Sequence, residues 1–233
     1  MLRLFSPSVL KSYAFTISKN CRLNFYSTTS KHNKPITPKI CIVGSGPAAL
    51  YTAQYVLKNL DKEYTPVVDI YEKLPVPFGL VRYGVAPDHQ DVKNVINSFT
   101  ETLKKPNVNF FGNVNIGVEL KINELIDAYN CVVLAYGSHG ENYLNIPGEN
   151  SFKNLVSAKD FVSWYNGLPQ SENIQIDLKA KNVVIIGAGN VSIDIARLLL
   201  SPIKKLEQTD ISAKALETFK NTNKVEHVSI IAR

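Results

Sequence analysis

Two short glycine runs and two lone charges carry the chemistry that this sequence can be read for. The first run is Gly44-Ser45-Gly46-Pro47-Ala48-Ala49, a G-x-G-x-x-A pattern. Its first glycine suits a tight turn, its second lets a pyrophosphate reach the backbone, and its small third residue lets a helix pack against a strand. The free N–H groups of that helix then face the phosphates. The apolar run Val67 to Tyr71 ends at Glu72, where a carboxylate can accept ribose hydroxyls. The second run is Gly187-Ala188-Gly189-Asn190-Val191-Ser192, again with a small residue in third place. Its following apolar run ends in Ile231-Ala232-Arg233. A cation there favours a 2′-phosphorylated nucleotide, so NADP over NAD. One loop answered by an acid and another by a base fits FAD together with NADP, with the cofactors carrying the redox chemistry.

The elements that would position these loops follow from the hydrophobic pattern. Ile40 to Val43 reads as a buried parallel strand leading into a helix from about Pro47 to Asn59, then a strand at Val67 to Tyr71. Pro75 to Gln90 reads as a Pro- and Gly-rich loop, long enough to be functional. Asp91 reads as the cap of a helix to about Leu103. Val108 to Phe111 reads as a strand, Asn123 to Tyr129 as a short helix and Cys131 to Ala135 as a strand. Asn182 to Ile186, a helix from Asn190 to Leu200, a helical stretch from Asp210 to Thr222 and a strand at Val228 to Ile231 complete the pattern. The fold class is therefore α/β: a Rossmann-like parallel-sheet domain for FAD over 35–145, then the start of a second, NADP-binding one over 146–233. Two strands after residue 180 give a sheet with little apolar face, so both domains are expected to be incomplete.

Composition bounds the rest. The 233 residues are 45% hydrophobic and 20% charged, ordinary for a chain that buries a core. The net charge of +6 is localised. Residues 1–34 hold six basic residues, no acid and many Ser and Thr, the composition of a disordered mitochondrial transit peptide cleaved between Asn24 and Thr37. From Pro35 onward 20 basic residues face 20 acidic ones, which argues against a nucleic-acid-binding surface. No apolar run is long enough for a membrane span. The three cysteines, Cys21, Cys41 and Cys131, show neither zinc-ligand spacing nor a C-x-x-C pair, and Cys41 and Cys131 read as buried core.

The segments Ile40–Ala49 (ICIVGSGPAA), Asp69–Lys73 (DIYEK), Pro77–Lys93 (PFGLVRYGVAPDHQDVK) and Val133–Gly137 (VLAYG) resemble NADPH:adrenodoxin (ferredoxin) reductases. So do Ile146–Glu149 (IPGE), Phe161–Pro169 (FVSWYNGLP) and Gly187–Leu199 (GAGNVSIDIARLL). The loop from Pro77 to His89 is the most specific part. The resemblance implies a mitochondrial flavoprotein enzyme passing electrons from NADPH to a two-iron two-sulfur ferredoxin. It implies that Gly44, Gly46, Ala48 and Ala49 hold the FAD pyrophosphate and Glu72 its ribose, with Leu80 and Gly112–Ile116 lining the flavin site. It places Ala188, Gly189, Asn190 and Val191 at the NADP pyrophosphate and Arg233 at the 2′-phosphate. His89 and Asp194 match a pair near the reacting rings, and a histidine beside a carboxylate suits proton movement near neutral pH. The family commonly has Gly where Ala49 stands and Ala where Ser192 stands; all are small. It also places a second arginine, ferredoxin-docking residues and further parts of both domains beyond the position of Arg233. The alternative is a truncated, non-catalytic FAD-binding fragment of such a reductase. Disulfide-type chemistry is disfavoured by the absent C-x-x-C pair.

Overall fold

The computed structural model describes residues 37–60, 64–138, 140–141, 143–149, 151–152, 154–171 and 173–232. The expected transit peptide and Arg233 lie outside the described residues. In chain order the elements are β1 Lys39–Val43, α1 Pro47–Leu60, β2 Val67–Tyr71, α2 Leu80–Tyr83, α3 Gln90–Lys93, α4 Val95–Leu103, β3 Val108–Phe111, α5 Ile122–Ala128 and β4 Cys131–Leu134. They continue with α6 Ala158–Tyr165, a 3₁₀ turn Pro169–Ser171, β5 Asn182–Ile186, α7 Asn190–Leu199, α8 Ile203–Leu206, α9 Ala213–Thr222 and β6 His227–Ile231. Among the described residues no helix is long and apolar enough to cross a membrane.

The chain forms two compact units. One comprises the described residues up to Pro77 together with Thr100–Tyr136; the other comprises Phe78–Phe99 and the residues from Gly137 onward. This division differs from the expected boundary at 145/146, because the segment 78–99 packs with the later residues.

The first unit is a parallel sheet in the order β3-β2-β1-β4. Alternation along β1 sends Ile40 and Ile42 to one face and Cys41 and Val43 to the other. All four are buried, so the strand reads as a continuous apolar run. Helix α1 contacts β1 and buries Ala49, Leu50, Ala53 and Leu57, its inward stripe. On the opposite face Cys41 and Val43 cluster with Leu125 of α5. Cys131 departs from expectation: it is exposed, because β4 is an edge strand of the sheet.

The second unit has a two-stranded parallel sheet, β5-β6. Its core lies on one face. Phe161, Trp164 and Tyr165 of α6 pack with Ile185, with Ile195 and Leu198 of α7 and with Phe219 of α9. Val184, Ile186 and Ile231 remain exposed. The aromatic rings meet at tilted or edge angles, 5.4 Å for Phe161–Trp164 and 5.8 Å for Phe161–Tyr165. Helix α6 was not foreseen from periodicity. Its N-cap is Ser157, whose hydroxyl accepts the Asp160 N–H at 3.0 Å. The loop expected over Pro75–Gln90 contains the helical turn α2. The helix expected from Asp91 to Leu103 is divided at Asn94 into α3 and α4, with His89 as the α3 N-cap.

Candidate functional site

Each loop assigns its two glycines different duties. Gly44 follows β1 with φ +100°, and its N–H donates to the Tyr71 carbonyl at 2.7 Å. A Cβ there would lie 2.4 Å from the carbonyl oxygen of Ala135. Gly44 is therefore required by the fold, for both its turn and its close approach. Gly46 has no positive φ, and a Cβ there would meet nothing within 4 Å. The fold does not explain that glycine. Pro47 then opens α1 with a preset φ and no N–H to orphan. Ala48 is exposed and Ala49 fully buried, so the small third residue is where the helix packs.

The second loop repeats the division through backbone angle alone, since a Cβ at Gly187 would come no nearer than 3.7 Å to Ser192 Oγ. Gly187 has φ +110°, and its N–H donates to the Ile231 carbonyl at 2.7 Å. Gly189 caps α7 with extended backbone, and its added Cβ would also meet nothing within 4 Å. Ala188, Asn190 and Val191 are exposed along the loop, while Ser192 is buried, as the third position requires.

Glu72 is 7% exposed at the end of β2. Its Oε2 accepts the Ser45 N–H at 2.9 Å and the Ser45 hydroxyl at 2.6 Å, and its Oε1 accepts the Leu74 N–H at 3.0 Å. A carboxylate offers about four acceptor positions. Three are used in shaping the loop, and by count one is open to a ribose hydroxyl. Ser45, fully buried, was not singled out in the sequence, although its place between the two glycines was the available signal.

Leu80 opens α2 and is 71% exposed. It follows an unusual backbone, Phe78 at φ +90° and Gly79 at φ +49°. A non-glycine residue there costs about 1–3 kcal/mol unless its surroundings enforce it. Gly112 approaches backbone closely: a Cβ would lie 3.0 Å from the Pro75 carbonyl oxygen. Ile116 packs its side chain against the Cys41, Val43 and Leu125 cluster.

The second unit brings His89 and Asp194 together. His89 Nδ1 lies 3.8 Å from Asp194 Oδ1, close enough for charge interaction and too long for a hydrogen bond. Arg197, one turn after Asp194 on α7, bridges two carboxylates. Its Nε donates to Asp88 Oδ2 at 2.6 Å, and its Nη2 donates to Asp88 Oδ1 and to Asp194 Oδ1, each at 2.8 Å. The Arg197 hydrogen bonds hold the Asp88 carboxyl below the usual carboxylate range, against the opposing effect of burial. The same bonds push the Arg197 guanidinium further up. Tyr165 lies nearby, fully buried, and its hydroxyl has no hydrogen-bond partner among the described residues. Its pKa is raised by burial first and by the Asp194 charge second. Arg197 and Asp88 were not singled out in the sequence; their neighbours Asp194 and His89 were, through the resemblance to the reductase family alone.

Comparison with known proteins bears on these loops. The profile of the family described as pyridine nucleotide-disulphide oxidoreductase matches residues 38–232. The chain is 50% identical over 197 residues to the mitochondrial NADPH:adrenodoxin oxidoreductase of Drosophila melanogaster, covering 84% of this chain and 41% of that protein. The human protein of the same name is also 50% identical over 197 residues, covering 84% and 39%. Among solved structures, Mycobacterium tuberculosis FprA in complex with NADPH superposes with a TM-score of 0.80 at 41% identity, covering 84% of this chain and 43% of that one. The chain thus spans about two fifths of the length of the curated relatives it matches.

Proposed function

The chain belongs to the pyridine nucleotide-disulphide oxidoreductase family, and from that membership we propose that it carries the FAD loop and the NADP pyrophosphate loop of an NADPH-dependent ferredoxin reductase of the adrenodoxin-reductase kind. The observation that carries this reading is the second glycine of each loop. Gly46 and Gly189 have neither a positive φ nor, among the described residues, a neighbour that excludes a side chain. Open space at these two backbone positions is what a pyrophosphate needs.

The residues present fit both nucleotides. Gly44, Gly46, Ala48 and Ala49 would hold the FAD pyrophosphate at the start of α1, a 14-residue helix whose N-terminus favours anions. Glu72 would take a ribose hydroxyl on its open acceptor position and keep Ser45 in place. Leu80 and the segment Gly112–Ile116 would line the flavin, the latter through backbone at Ile116, since its side chain faces the core. Ala188, Gly189, Asn190 and Val191 would cradle the NADP pyrophosphate at the start of α7, with Arg233 at the 2′-phosphate. When bound, FAD supplies the capacity to take two electrons as a hydride and release them singly. His89 and Asp194 would hold and move a proton near the reacting rings.

The electron acceptor in this reading is a two-iron two-sulfur ferredoxin, and the compartment is the mitochondrion. The names of the relatives support both, and the basic, acid-free composition of residues 1–34 supports the compartment.

The test is optical. The protein, purified and supplied with FAD, is expected to retain a flavin spectrum after desalting and to bleach when NADPH is added without oxygen. A folded protein that retains no flavin, or retains it and does not bleach, contradicts the reading.

A further inference from the structure

The pair His89 and Asp194 is assembled from two stretches of chain, and something must hold the histidine-bearing stretch in place. Ion pairs do so on both sides of His89. Just before it, Asp88 is clasped by the Arg197 fork. Just after it, Lys93 donates from Nζ to both oxygens of Asp210 at 2.9 and 2.6 Å. These anchors are unequal. Asp88 is 8% exposed and needs a countercharge, whereas Asp210 is 48% exposed and gains little from its partner.

Arg197 does more than anchor. Its Nη2 is shared between Asp88 Oδ1 and Asp194 Oδ1, and the latter oxygen is the one facing His89 Nδ1. The i, i+3 spacing of Asp194 and Arg197 sets both on one face of α7. A planar guanidinium can span two carboxylates at fixed angles; an ammonium is a point charge and cannot.

We propose that Arg197 is a positioning residue, whose guanidinium locks Asp194 and the His89-bearing segment into register by bonding Asp88 and Asp194 at once. The idea deepens the proposed function, since it rests on the reading of His89 and Asp194 as the working pair. Lys205, 3.9 Å from Asp88 Oδ2 and 56% exposed, adds charge without geometry. Tyr165 offers a buried hydroxyl beside the cluster and no charge.

The test reads geometry and not turnover. The full chain is labelled with ¹⁵N-histidine, and its imidazole resonances are recorded. Four histidines occur, and His89 is assigned by its loss in His89→Gln. Arg197→Gln is expected to move the His89 ring resonances by more than a line width, while the single tryptophan, Trp164 in the core, keeps its buried emission. Arg197→Lys is expected to leave them displaced, because charge alone does not restore the fork. Asp88→Asn is expected to move them too. It carries the test if Arg197→Gln loses the Trp164 signature. Unmoved His89 resonances in a folded variant overturn the proposal, as does full restoration by lysine. Failure of the underlying reading looks different: His89→Ala would leave NADPH-driven flavin bleaching unchanged while the resonance shifts persist.

Discussion

A methyl group separates two kinds of glycine in this chain. At Gly44 it would meet the Ala135 carbonyl oxygen at 2.4 Å on a backbone at φ +100°. Gly44→Ala is therefore expected to destabilise the first unit by about 3 kcal/mol, seen as a lower denaturation midpoint by circular dichroism. The sequence pattern named both glycines of each loop but could not tell which serves the fold and which leaves room, because that depends on distant backbone. Cysteine chemistry shows the same limit. Both Cys41 and Cys131 sit in apolar runs, yet an edge strand exposes Cys131 while burial pushes the Cys41 thiol up to about 12. At pH 8, iodoacetamide is expected to label Cys131 well before Cys41, read by peptide mass spectrometry. Equal labelling of the two would contradict the assigned burial.

At the scale of elements, strands and the loop helices were legible because apolar runs ending in glycine are strong local signals. β1, β2, β3 and β5 fall where their apolar runs place them. Helix α6 was missed, since it is only eight residues long and every residue from Phe161 to Tyr165 is buried, which leaves too short a pattern to show a helical period. Its start was nevertheless written in Ser157 and Asp160. Ser157→Ala is expected to cost about 1 kcal/mol, measured by Trp164 fluorescence on urea unfolding. The joining of segment 78–99 to α7 depends on Asp88 and Arg197, more than a hundred residues apart, and no local pattern announces it. That pair has a pH signature. The Asp88 carboxyl is held low in the folded state, so it contributes stability above its unfolded value, near ~3.9. The contribution is lost as pH falls through the lower folded value. Asp88→Asn is expected to cost about 2 kcal/mol at pH 7 and progressively less in strong acid, again by Trp164-detected unfolding. A pH-independent loss would contradict the ion pair.

Across the whole molecule, two strand–glycine–helix–strand units repeat one solution to one problem. Each places a φ-positive glycine at the strand end, an open glycine before the helix and a small buried residue at the third position. Charges after the second strand distinguish them in sequence, an acid at Glu72 and a base at Arg233. The division of the chain into two compact units was less legible, because Phe78–Phe99 joins residues far along the sequence. The most direct test of the account compares Gly46→Ala with the parent chain in FAD titrations followed by flavin fluorescence. FAD affinity is expected to fall at least tenfold, about 1.4 kcal/mol, while unfolding stability changes by less than about 0.5 kcal/mol. Equal affinity in the two proteins, or no FAD binding by the folded parent, would contradict it.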